Sequence, residues 1–145
     1  RLAFLAASDT EVDACRQSFG GEEVCFFSSN LHKQYVPFAN DFGPVNLAVV
    51  HRFCQALAPR MESRDSKTWV YCFEDGYREV ANASFLLGAF LVMHFDYTPE
   101  QATSPFLSED CPFSVQPFRD ITLSRFSPTL SLLDALSSLA KAKAL

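Results

Sequence analysis

The segment Thr68–Phe95 constrains this chain more than any other. It opens on the β-branched and aromatic run TWVYCF, crosses a short polar loop, EDGY, and continues as an apolar stretch to Phe95. That pattern predicts a buried strand feeding directly into the N-terminus of a long helix. A helix that is apolar almost all round must be covered on every side. The rest of the chain therefore has to supply layers around it, and the expected fold class is α/β, a small central sheet covered by helices.

The flanking sequence supplies those layers. Leu2–Ala6 reads as a short buried strand. Ser8–Glu23, with Gly20-Gly21, reads as a connection with room for one helical turn. Val24–Ser28 is a second strand, and Gln34–Phe38 reads as a third, stopped by Pro37. Asn40–Pro44 has turn chemistry. Asn46 is expected to cap a helix reaching about Ala58, with Leu47, Val50, Phe53, Cys54 and Leu57 inward and Pro59 ending or kinking it. A charged loop, Arg60–Lys67, leads into the Trp69 strand. Beyond the central helix, Thr98-Pro99-Glu100-Gln101 combines an N-cap, a proline at the first helical position and a glutamine three residues after the cap. The helix it starts is expected to break near Pro105. Cys111–Asp120 reads as extended, and Arg119-Asp120 as a structural pair closing a turn. Ser127-Pro128 repeats the cap-then-proline signal for a last helix to about Lys143, with Leu130, Leu133, Leu136 and Leu139 inward. In the central helix Phe85, Leu86, Leu87, Phe90, Leu91 and Met93 are core candidates. Ser84 and Gly88, one turn apart, form a small-residue stripe suited to close approach to the sheet.

Bulk properties narrow the function classes. With 145 residues, 48% of them hydrophobic and fifteen of them Phe, residues 1–145 form one domain with a real core. A net charge of −5 argues against nucleic acid or an anionic membrane as the main partner. The longest apolar run, near Ala83–Met93, falls short of the ~20 residues a membrane span needs, and RLAFLAAS is too short for a secretory signal. An arginine at residue 1 implies that this is not a natural start. Five cysteines with no C-x-x-C pair lack metal-ligand spacing, so no metal or cofactor is expected; reduced intracellular thiols are the natural reading. His32, His51 and His94 are isolated and read as surface or satisfied-core residues.

Chemistry concentrates in the polar loop. Cys72 and Arg78 have five residues between them, the spacing of cysteine-dependent phosphatases. That reaction needs a thiolate stabilised by backbone N–H groups and a helix N-terminus. It also needs an arginine gripping two phosphate oxygens and an acid that protonates the leaving oxygen. Asp41, in a turn before the preceding helix, lies where such an acid would sit. The neighbouring residues oppose this. Glu74 and Asp75 put two carboxylates where a dianion would bind, which disfavours both the phosphate and the thiolate. Asp75 stands where a glycine is usual, Glu79 where a hydroxyl is usual, and Tyr71 where a histidine is usual. The preferred reading makes Cys72 a buried strand-end residue and pairs Arg78 with Glu74, Asp75 or Glu79, with no catalytic residue expected. Catalysis by Cys72, Arg78 and Asp41 is the alternative.

The chain also carries longer matches: RLAF (Arg1–Phe4), CFF (Cys25–Phe27), DFGPVNLA (Asp41–Ala48), RFC (Arg52–Cys54), ANASFLLGAF (Ala81–Phe90), TPEQA (Thr98–Ala102), PFRD (Pro117–Asp120) and LLDAL (Leu132–Leu136). On these, spanning essentially the whole chain in order, it resembles the N-terminal domain of the mitotic-exit, cell-division-cycle dual-specificity phosphatases. The resemblance implies a dual-specificity-phosphatase-like fold that has lost its catalytic loop. It also implies a catalytic domain downstream with the true His-Cys-x5-Arg site, and residence in nucleus and cytoplasm. It further implies an acidic groove at the seam of the two domains that favours phosphoprotein substrates with basic residues near the phosphosite; Glu74, Asp75 and Glu79 are the candidates to face it. That family usually lacks a cysteine at the position of Cys72, so this chain departs from the pattern there. A lone phosphoprotein-binding adaptor is the remaining alternative.

Overall fold

The structure, a computed structural model, describes residues 1–19, 21, 23–63, 67–121 and 129–145. Strands β1 (Leu2–Ala6), β2 (Val24–Ser28) and β3 (Thr68–Phe73) form a parallel sheet in the order β1-β3-β2. Its register pairs Leu5 and Ser28 with Cys72 from either side. Alternation along each strand gives the sheet two unlike faces. Leu2, Phe4, Phe27, Tyr71 and Phe73 join the main core, whereas Leu5, Phe26, Val70 and Cys72 pack with Ala7 and Val12.

The second face is covered by α1 (Asp9–Phe19), an eleven-residue helix where a connection with one turn was expected. Its start is set by Ser8 and Glu11: the Glu11 carboxylate accepts from the Ser8 N–H at 2.8 Å and from its hydroxyl at 2.7 Å. Its one buried residue is Val12, so apolar periodicity gave little sign of it. The expected strand at Gln34–Phe38 does not form. A 3-10 turn, Leu31–Lys33, precedes irregular chain there, since Pro37 removes a ladder donor.

Four helices cover the first face. Asn46 caps α2 (Leu47–Glu62), its side chain accepting from the Val49 N–H at 3.1 Å. The helix continues through Pro59, a turn beyond the expected end. Val49, Val50, Phe53 and Leu57 form its buried face, while Leu47 is exposed. The central helix α3 (Tyr77–Phe95) buries twelve of its nineteen residues, among them Phe85, Leu86, Leu87 and Phe90. Each of those four contributes about 1.5–3 kcal/mol of apolar burial before chain entropy is counted. Met93, expected inside, is exposed at 39%. Asp96 ends α3 in the left-handed conformation (φ 57°).

Helix α4 (Pro99–Leu107) has the full capping box between Thr98 and Gln101 and runs through Pro105 without breaking. A second, two-stranded sheet pairs β4 (Phe118–Arg119) with β5 (Thr129–Leu130), and Arg119 bridges Phe42. Ser127-Pro128 lies outside the described residues. The last helix, α5 (Leu132–Lys143), is capped by Ser131 and Asp134, so Leu130 sits in a strand, 37% exposed, and Leu133 is only half-buried. Leu132, Ala135, Leu136 and Leu139 are the inward residues. Gly88 faces this helix and not the sheet. A Cβ there would lie 2.6 Å from Leu136 Cδ1.

Candidate functional site

The strand-to-helix turn between β3 and α3 is where sequence placed the chemistry, and its two key residues diverge. Cys72 lies within β3, 2% exposed. Because Tyr71 and Phe73 point to the main core, the Cys72 side chain is directed to the α1 face, where Sγ lies 3.7 Å from the Val70 carbonyl oxygen. It lines a cavity of about 290 Å³ with Asp9, Asp13, Arg16, Ser28 and Glu74. Burial raises its pKa, and the Arg16 charge lowers it only in part. The thiol therefore stays protonated at neutral pH, the unreactive form.

Arg78, in the first turn of α3, lies on the main-core side. Its guanidinium is 5.5 Å from the centroid of the Tyr77 ring, and its Nε–H donates to the Tyr77 hydroxyl at 2.9 Å. It has no carboxylate partner among the described residues, so the expected pairing with Glu74, Asp75 or Glu79 does not form. It borders a different cavity of about 160 Å³, with His32, Lys33, Tyr35 and Glu79. Neither cavity is lined by both Cys72 and Arg78.

Glu74 takes other partners. Its carboxylate accepts from Lys33 Nζ on one oxygen and from His32 Nε2 at 3.0 Å on the other. Burial acts to raise Glu74, but these two hydrogen bonds outweigh it and hold its pKa at about 2. The His32 imidazole is fully buried, and its Nδ1 lies 2.9 Å from the Tyr71 hydroxyl, which Ser29 Oγ approaches at 3.1 Å. His32 is thus a satisfied core histidine. Burial pushes Tyr71 up to about 12. Asp75 is exposed; Glu79 is half-buried, and its charge acts on Lys33.

Asp41 is buried and acts within its own loop. It accepts from the Tyr35 hydroxyl, from the Phe38 N–H at 2.9 Å and from the Ala39 N–H at 2.7 Å. The Tyr35 bond, followed by the backbone bond from Ala39, lowers its pKa. Donors that favour the charged form are the reverse of what a general acid needs. Among the described residues no group of His, Cys, Asp and Glu is placed to hold a metal ion, and no helix is long and apolar enough to cross a membrane. All five cysteines are free.

Sequence reasoning passed over Ser29 and Lys33, and it read His32 and Tyr71 without seeing that they join Glu74 in one network. His32 and Lys33 bond Glu74 from more than forty positions earlier in the chain, and Ser29 and Tyr71 back the imidazole, through the pairing of β2 beside β3.

With this geometry in place, the comparisons with known proteins are specific. The family described as "Dual specificity protein phosphatase, N-terminal half" matches residues 1–142. The dual specificity protein phosphatase CDC14A of Homo sapiens is 37% identical over 120 residues, covering 80% of this chain and 20% of that protein. CDC14C of Homo sapiens is 34% identical over 121 residues, 82% of this chain and 27% of that one. The tyrosine-protein phosphatase cdc-14 of Caenorhabditis elegans is 30% identical over 128 residues, 83% and 18% respectively. The chain spans less than a third of the length of these relatives. It belongs to the family formed by the N-terminal halves of dual-specificity protein phosphatases.

Proposed function

From that membership we propose that the chain is a non-catalytic scaffold and substrate-guiding domain of a dual-specificity protein phosphatase. The catalytic Cys-x5-Arg domain it serves lies outside these residues. The observation that carries the reading is the divergence of Cys72 and Arg78. The Cys72 thiol is turned to the α1 face and lines one cavity while Arg78 lines another, so neither cavity presents both groups to one phosphate. Asp75, which is exposed, and Glu79 are the candidates to favour basic residues near a phosphosite, and Glu74 is withdrawn from that role by Lys33 and His32. The partners that follow are a catalytic phosphatase domain in cis and phosphoprotein substrates.

Hydrolysis of p-nitrophenyl phosphate by the 145-residue chain, beside Cys72→Ser, tests the catalytic half. Both are expected at the blank rate, and turnover abolished by the substitution would falsify the reading. In the whole phosphatase, Asp75→Asn with Glu79→Gln is expected to lower kcat/KM for a basic phosphopeptide about two- to tenfold, the scale of exposed charge pairs. The rate on p-nitrophenyl phosphate should not move. An equal loss on both substrates would point to a folding effect and against guidance.

A further inference from the structure

Two donors from one short turn converge on a single carboxylate. Lys33 Nζ holds Oε1 of Glu74 and His32 Nε2 holds Oε2. The imidazole is preorganised from behind. An ionised carboxylate only accepts, so Nε2 must donate to it. In the neutral ring Nδ1 then accepts the Tyr71 O–H, and the Ser29 O–H donates to the Tyr71 oxygen. Every polar atom of this chain is satisfied, with the outermost donor fixed in a fully buried ring. Such a donor does not need Glu74 for its aim. It needs an acceptor oxygen at that point, and Lys33 Nζ beside it favours one that carries negative charge. The cavity of about 160 Å³ opens on the same two side chains, and Arg78 borders it; its one carboxylate is Glu79. Glu74 is itself 39% exposed, so the position it fills can be reached from solvent.

We propose that Glu74 is the tethered occupant of an oxyanion site built from Lys33 Nζ and His32 Nε2, and that removing this side chain lets the site take a free oxyanion such as inorganic phosphate. In the native chain the tethered carboxylate keeps the site shut. A linked competitor acts at an effective concentration in the millimolar range or above, and a free anion must displace it. The inference stands apart from the functional reading above, because its readout is binding and not turnover.

The test is phosphate binding by the 145-residue chain, followed by calorimetry and by the thermal midpoint in phosphate against chloride at equal ionic strength. Glu74→Ala is expected to bind phosphate at least about tenfold more tightly than the native chain and to gain midpoint in phosphate selectively. Glu74→Gln, which keeps the space filled, is expected to behave as the native chain does. Adding Lys33→Met to Glu74→Ala should abolish the gain. A folded Glu74→Ala protein that responds to phosphate no more than the native chain overturns the proposal, as does a response that survives Lys33→Met. If Glu74→Ala is too unstable for calorimetry, an equal midpoint in phosphate and chloride overturns it as well.

Discussion

Glu74 is far more exposed than the imidazole that holds it, and this shapes how it titrates. Its folded pKa of about 2 lies below the ordinary 4.5. A depressed carboxylate adds stability that is complete above its unfolded pKa and is lost as pH falls through the folded one. Urea midpoints are therefore expected to drop between about pH 4.5 and about pH 2, with Glu74→Gln flattening that slope. Lys33 has the opposite sign. Its pKa is raised, chiefly by the hydrogen bond to Glu74, so its share is lost in strong alkali, and at the acid end it goes with the protonation of Glu74. Solvent reaches both Lys33 and Glu74, which limits the size of the effect but not its direction. None of this pairing was legible in the linear chain. Nothing in Leu31-His32-Lys33 marks it as the partner of a loop beyond the next helix. The carboxylates of that loop were visible as obstacles to phosphate, but not the donors that occupy one of them.

At the scale of elements, local chemistry was the readable part. Asn46 and Thr98 cap the helices they were expected to cap, and Trp69 sits in the strand its neighbours implied. The misreadings arose where signals competed or were faint. Ser127 was the expected cap, but Ser131 caps α5, and the inward register of that helix is set from there. Pro59 and Pro105 each stand inside a helix that packing carries past them. The contact between α3 and α5 could not be read from spacing alone, and Gly88 is a point where Leu136 leaves no room for a Cβ. Gly88→Ala gains about 1 kcal/mol of helix propensity. It also forces a Cβ onto Leu136, which is fully buried with Cδ2 and Cγ close behind Cδ1. Overpacking of this kind costs about 1–3 kcal/mol, so a net loss of stability is expected in chemical denaturation. The double variant with Leu136→Ala should show a coupling of at least about 0.5 kcal/mol. Additive effects would mean that the two helices do not press on each other at this point.

Across the whole molecule the sheet is covered unequally. One face carries α2, α3 and the helices packed on α3. The other carries α1, which buries only Val12. Elements with few buried apolar contacts open at low free energy. Amides of α1 are expected to exchange hydrogen through a local opening with little urea dependence, whereas those of α3 exchange only by global unfolding. Native-state exchange with mass or NMR detection distinguishes the two, and equal protection in both helices would refute the asymmetry. α1 also covers the sheet face to which the Cys72 side chain is turned, so the cavity beside that thiol lies on the less secure side. The strand order β1-β3-β2 has a last consequence, for biosynthesis. The two outer strands do not touch each other, and each hydrogen-bonds only to the one made last. A nascent polypeptide that has emerged only as far as Ser63 thus displays two mateless strands, rich in phenylalanine, that must wait for the third to arrive before any sheet exists.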